Sequence, residues 1–214
     1  MTKQIEQRLS RHAKSRLELR MEGDEPKYFE GYAVVYYRED DPGTQYWLWE
    51  DLVERIMPGA GNRAVNEKDD ARATFNHDPG CLLGRVASGT CEITSDAVGL
   101  RYRVPFDPND PDHVRTAAKI KRGDLVGSSF GFRATKTAWR EVEIDQKLID
   151  IREIEEFELF DVGPVVDPAY GATTAGFRSA VIGADEERKR LLTERGEKPE
   201  VVSDVDLDWE EIGS

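Results

Sequence analysis

Three kinds of side chain in this sequence have the chemistry to split an acyl bond, and they sit far apart in the chain. Ser128 and Ser129 lie in the apolar run Leu125-Val126-Gly127-Ser128-Ser129-Phe130-Gly131-Phe132, where Gly127 and Gly131 leave room for another backbone to approach. His77 closes the short run Ala71–His77, broken at once by Asp78-Pro79-Gly80. An acid-rich stretch carries Glu153, Glu155, Glu156 and Glu158, with Asp161 just beyond. A serine hydroxyl is a weak nucleophile until a neutral imidazole takes its proton, and the imidazole needs a third group to fix its tautomer. Taken singly, each residue reads as structural: a satisfied core serine, a strand-end histidine, a solvated row of glutamates. Together they complete the inventory for acyl transfer.

Other chemistries find less support. His12 falls in a polar, basic leader, and His113 falls in the first turn of a helix, where a surface position is expected. Histidines at metal-ligand spacing are missing, and Cys81 and Cys91 have no histidine between them, so no metal site is expected. Cys81 follows His77 too closely to make a usual catalytic pair. The run around Ser128 and Ser129 lacks the lysine and spacing of a phosphate-binding loop, so no cofactor is expected. The glutamate row would serve a carboxylate-based hydrolase only with a geometry that sequence does not show.

The elements that must position these groups are mostly strands. Leu17 and Leu19 alternate with charges, Gly23-Asp24-Glu25-Pro26 turns the chain, and Tyr28–Tyr37 forms the second arm of a hairpin. Further runs cover Leu52–Met57, Ala71–His77, Leu82–Ala87, Gly89–Ile93 and Leu100–Phe106. Asp107-Pro108-Asn109-Asp110-Pro111-Asp112 is a helix-entry signature for a helix from about His113 to Lys121, stopped by Gly123. Ala134–Glu143 and Lys147–Phe160 read as arms of a long hairpin around Asp145-Gln146. Roughly ten strands, two or three helices and no βαβ alternation make this a mostly antiparallel barrel or sandwich with helices attached.

Composition sets outer limits. The 214 residues, 38% of them hydrophobic, suffice for one packed domain. The net charge of −13 argues against nucleic acid as a partner, and six of the acidic residues fall in the last sixteen, which hold no Lys or Arg. No apolar run approaches the ~20 residues of a membrane span, and two cysteines with no signal-peptide pattern fit a reducing cytosol. Residues 1–14 read as a flexible leader, 15–178 as the folded domain, and 179–214 as a charged helix followed by an acidic tail with the composition of disorder.

Several short pieces, in order, resemble the prohead (capsid maturation) serine proteases of tailed bacteriophages, whose barrel fold is shared with herpesvirus assembly proteases. They are Phe29-Glu30-Gly31-Tyr32-Ala33, Met57-Pro58-Gly59-Ala60, Asn76-His77-Asp78 with Leu83-Gly84-Arg85, Ser129-Phe130-Gly131-Phe132, and Leu159-Phe160-Asp161-Val162 with Pro168-Ala169-Tyr170. The resemblance spans about Ser15 to Thr174. It implies a closed antiparallel β-barrel of the α+β kind flanked by two or three helices, with Ser129 as nucleophile, His77 as general base and Ser128 a strand neighbour. Asp161 and Gly163 stand where the family commonly has Glu and Ser. For the third member, unbroken strand alternation sets Glu156 and Glu158 on one face and Asp161 on the other; Glu156 is favoured, with Glu158 and Asp161 as alternatives. Oxyanion donors are expected from backbone N–H groups, with Arg85 as a helper.

A biological role is implied as well. The chain would be packed inside the immature procapsid in the host cytoplasm, where it would cleave phage scaffold, major capsid protein and the protease itself. Self-cleavage is expected between Phe177 and Pro199. A homo-oligomer is compatible with that role. The alternative is a catalytically silent β-barrel that serves as a scaffold or assembly chaperone.

Overall fold

The computed structural model describes residues 5–10, 16–144, 147–166 and 175–194. Among the described residues there are eleven strands and three α-helices: β1 Glu6–Ser10, β2 Glu18–Glu22, β3 Glu25–Val35, β4 Gln45–Trp49, β5 Leu52–Ile56, α1 Asn62–Asn66, β6 Arg72–Thr74, β7 Leu82–Arg85, β8 Glu92–Ser95, β9 Gly99–Pro105, α2 Pro111–Arg122, β10 Gly127–Ile144, β11 Lys147–Val165 and α3 Ala175–Glu194. Most coincide with the runs read from alternation, but the run expected over Gly89–Ile93 is strand only from Glu92, and that over Ala71–His77 only from Arg72 to Thr74. Helix α2 begins where its entry signature sets it. The Asp110 side chain accepts from the Asp112 N–H at 2.8 Å, Pro111 takes the first turn, and Gly123 ends the helix in the left-handed region at φ 83°.

The strands form two sheets. In the larger, the order is β1-β10-β11-β5-β4, with β6 also on β11 and β7 on β6; the smaller runs β2-β3-β9-β8. Between them lies the core, where Phe130 and Phe132 stack at 4.6 Å and Phe157 packs on both, at 5.6 and 5.7 Å. All three rings are fully buried, and burial of each contributes roughly 1.5–3 kcal/mol. Leu17, Phe29, Val34, Leu100, Tyr102 and Val104 close the core from the smaller sheet's side.

Two expectations change. The fold is mostly β with three helices, but among the described residues the sheets do not close into a barrel: no strand pairing joins one sheet to the other. The outer strand β2 presents Glu18, Arg20 and Glu22 to solvent, and such charged edges resist further pairing. Nor is the larger sheet antiparallel throughout, because β5 and β6 both run parallel to β11, one at each end of the same edge. The second change is at the leader: residues 6–10 are not free but form edge strand β1, antiparallel to β10, with Arg8 opposite Phe130 and Leu9 opposite Ser129. Buried charges hold it there. Arg8 donates to Glu54 at 2.6 and 2.7 Å and to Glu6 at 3.0 Å, while Arg152 bonds Glu6 and Glu54, each at 2.7 Å. Helix α3 begins at Ala175, inside the span expected for the folded domain, and docks on the same sheet through Arg188, which bonds Asp51 and Asp150. The hairpin turn at 145–146, the segment 167–174 and the acidic tail from 195 lie outside the described residues.

Candidate active site

His77 is delivered by a very short strand and a strained turn. Strand β6 runs parallel to the end of β11, and the chain then enters consecutive left-handed residues, Asn76 at φ 54° and His77 at φ 58°. Non-glycine residues hold such angles only where neighbours overdetermine them. Here Asn76 supplies the anchors: its N–H donates to Pro164 O at 3.0 Å, and its Oδ1 accepts from the Val166 N–H at 2.8 Å. Asp78 N–H to Phe75 O and Phe75 N–H to Cys81 O close the turn. Gly163 permits the approach of β6, because a Cβ at that position would lie 2.1 Å from the Thr74 carbonyl oxygen, and its φ of 151° suits glycine.

Ser129 is displayed by β10, with β1 on one side and β11 on the other. Strand alternation separates the two serines. Ser128 faces inward with Phe130 and Phe132; its Oγ shares a hydrogen bond with Tyr102 at 3.1 Å and fills the space that Gly31 leaves open. Ser129 points to the opposite face. There it lies across from Gly163, and Asp161 lies across from Gly131. Each functional side chain is thus paired with a glycine, which makes room for the imidazole between them.

The three groups meet in line. Ser129 Oγ is 2.7 Å from His77 Nε2, and His77 Nδ1 is 2.6 Å from Asp161 Oδ1. The other Asp161 oxygen accepts from Thr74 Oγ1 at 2.7 Å, so the carboxylate is held from both ends. With Nδ1–H donated to Asp161, Nε2 carries the free lone pair and is placed to take the hydroxyl proton. Ser129 Oγ makes a further contact, donating to Arg8 O at 2.8 Å. A hydroxyl has one proton, so a bond donated to Arg8 is not donated to His77 at the same moment.

The carboxylate at His77 is therefore Asp161 rather than the favoured Glu156, for a specific geometric reason. The register between β10 and β11 slips between Gly131 and Phe132, leaving Phe160 as an extra residue on β11. A bulge of this kind reverses the alternation, so Asp161 shares the outward face with Glu158 instead of opposing it. Glu158 is taken by Arg133 at 2.6 Å, and Glu156 accepts from Thr135 at 3.0 Å. Glu156 is five residues, ~16 Å, further along the strand from Asp161.

The remaining candidates lie elsewhere. Arg85 is committed to Asp70, with Nε 2.9 Å from both carboxylate oxygens. His113 is not at the surface: Nε2 donates to Leu83 O at 2.7 Å, Nδ1 accepts from the Asp107 N–H at 3.1 Å, and the ring packs edge-on against Phe29. It pins α2 to β7. Burial first, then Asp112, pushes the Cys81 thiol up, and burial takes the Cys91 thiol up to about 12, so both lack the thiolate character of a nucleophile. Among the described residues no group of three or more His, Cys, Asp or Glu is arranged to hold a metal ion, and no helix is long and apolar enough to cross a membrane. Sequence reasoning missed Thr74, Asn76 and Arg8. Asn76 carries a detectable signal, since Asn tolerates the left-handed region that a sharp strand-end turn demands.

A solved structure similar to this chain is that of the bacteriophage T4 capsid assembly protease, gp21, at 16% sequence identity and a TM-score of 0.40, covering 77% of this chain and 96% of that one. Comparison with curated protein sequences gives no match. A family model described as the caudovirus prohead serine protease matches residues 15–185. That span holds His77, Ser129 and Asp161 and starts after β1, and a match over most of the sequence means that the chain belongs to the caudovirus prohead serine protease family.

Proposed function

We propose that this protein is a serine endopeptidase of phage procapsid maturation, with Ser129 as nucleophile, His77 as general base and Asp161 as the carboxylate that orients and charge-stabilises the imidazole. The observation that carries the reading is the pair of hydrogen-bond contacts at the two His77 ring nitrogens, Nε2 2.7 Å from Ser129 Oγ and Nδ1 2.6 Å from Asp161 Oδ1. Family membership supports peptide-bond cleavage and work in capsid assembly. Ser129 Oγ bonds to the scissile carbonyl carbon while its proton passes to His77 Nε2. The tetrahedral centre collapses as the C–N bond breaks, and Nε2–H protonates the leaving amine. Water then repeats the sequence on the acyl-enzyme, its proton going to Nε2 and on to Ser129 Oγ, which releases a carboxylic acid. Asp161 stabilises the imidazolium present between transfers.

The substrates in this reading are extended segments of scaffold and major capsid protein inside the procapsid, and the chain itself. Self-cleavage between Phe177 and Pro199 would require unwinding of α3, which spans Ala175–Glu194 and is tied to the sheet through Arg188. The test is incubation of the purified protein with its phage's scaffold and major capsid protein, followed by intact-mass measurement. Defined fragments from the wild type and none from Ser129→Ala are expected. Full-length masses throughout would favour the silent scaffold, and fragments from both chains would place the chemistry elsewhere.

A further inference from the structure

We infer that β1 is a resident pseudosubstrate: it occupies the groove along β10 in which a substrate strand would lie, and Glu54 at the base of that groove selects an arginine side chain on the residue whose carbonyl meets Ser129. This rests on Ser129 being the nucleophile.

Four observations converge. The backbone of β1 pairs antiparallel with β10, with Leu9 opposite Ser129, so an extended chain already lies along the nucleophile's strand. Recognition by adding a strand to a sheet edge takes its affinity from the backbone and its selectivity from alternate side chains. Next, the carbonyl bonded to the nucleophile is that of Arg8, whose oxygen accepts from Ser129 Oγ at 2.8 Å. That contact draws the hydroxyl proton away from His77 and leaves Ser129 only 3% exposed.

Third, alternate side chains of β1 are read by charge. Arg8 lays its guanidinium on Glu54 with two bonds, 2.6 and 2.7 Å, in the planar two-point geometry that lysine does not reproduce. Two residues earlier, Glu6 meets Arg152 at 2.7 Å. The groove therefore fits an extended peptide of the form Glu-x-Arg.

Fourth, this buried cluster divides without stranding a charge. Strand β1 brings one acid and one base, Glu6 and Arg8. If it leaves, Glu54 and Arg152 remain bonded to each other at 2.7 Å, with Glu187 still on Arg152 at 2.9 Å. A permanent core ion pair loses its partner when one side is removed, at heavy cost. Here both signs depart together. The segment also lies ahead of the residues that the family model matches, 15–185.

The experiment compares fluorophosphonate labelling rates of full-length wild type and Arg8→Glu, which sets a carboxylate against Glu54. The variant should label at least about tenfold faster, equivalent to about 1.4 kcal/mol of lost occlusion. An acetylated, amidated peptide of residues 3–12 should slow the variant again, while the same peptide carrying R8E should not. Equal rates in the two chains, or equal effects of the two peptides, would overturn the pseudosubstrate. Absence of label in both chains would instead overturn the serine-nucleophile reading beneath it. Should Arg8→Glu fail to fold, amide hydrogen exchange of the wild type decides: protection of residues 6–10 must fall once Ser129 carries the phosphonate, and unchanged protection refutes displacement of β1.

Discussion

Replacing Asp161 by alanine removes the carboxylate bonded to His77, and the size of the effect follows from where the pair sits. The side chains of His77 and Asp161 are 15% and 19% exposed and meet at 2.6 Å. That is a partly screened site, where two unit charges about 4 Å apart attract by roughly 4 kcal/mol. The attraction matters only while the imidazole is protonated, which happens after Ser129 has given up its proton, so it belongs to the transition state and not to substrate binding. At 1.36 kcal/mol per factor of ten, kcat should fall by about a thousandfold with KM little changed. The assay is steady-state cleavage of the phage's scaffold protein by Asp161→Ala, run beside Glu156→Ala. Glu156 touches Thr135, so its loss should change kcat by less than about threefold, as for most surface substitutions. Retention of more than a tenth of wild-type kcat by Asp161→Ala, or an equal loss in Glu156→Ala, would refute the assignment.

Gly163→Ala should cost roughly 3 kcal/mol of stability and abolish labelling of Ser129, because its Cβ would meet the Thr74 carbonyl at 2.1 Å and part β6 from β11; a thermal melt within a few degrees of wild type would contradict this. Asn76→Ala leaves the Val166 N–H without its 2.8 Å acceptor and puts alanine in the left-handed region, so we expect a loss of about 2 kcal/mol in urea unfolding and a larger proportional loss of kcat as His77 drifts. Burial alone would push the Glu54 carboxyl up, but the charges of Arg8 and Arg152 and their hydrogen bonds hold it below the usual carboxylate range. A carboxylate depressed in the folded state gives stability that is fully present above its unfolded value, about 4.3, and is lost as pH falls toward the folded one. Melting temperature should therefore fall steadily below about pH 4.3 in wild type, and a Glu54→Gln chain with the same pH slope would contradict that origin.

How legible the site was depended on whether local pattern survived into the sheet. His77 and the serine pair 128–129 stand out as candidates where sequence punctuation is strong, a run broken by Asp78-Pro79-Gly80 and two hydroxyls between glycines, and the fold brings His77 and Ser129 together at 2.7 Å. Regular strand alternation sets Ser128 and Ser129 on opposite faces of β10 from Gly127 to Gly131, but the choice of Ser129 between them rests on the resemblance. The same alternation failed one strand away. The extra residue at Phe160 reverses the faces of β11, and a bulge depends on the partner strand, so β11's own sequence does not announce it. The missing barrel closure has a similar origin, because edge pairing depends on how two sheets meet and not on either strand's composition. Strand β1 was obscured by its charges. Glu6 and Arg8 look like solvated leader residues until Glu54 and Arg152, distant in sequence, give them buried partners. His113 misled in the same way, being a polar residue whose two ring nitrogens both find backbone partners inside.

The central claim, that Ser129 is the nucleophile activated by His77, is tested most directly by locating a fluorophosphonate adduct. After prolonged reaction and peptide mapping by mass spectrometry, a single adduct should sit on Ser129, absent from Ser129→Ala and reduced at least about a hundredfold in rate in His77→Ala. An adduct on another residue, or labelling of Ser129 that does not depend on His77, would contradict it.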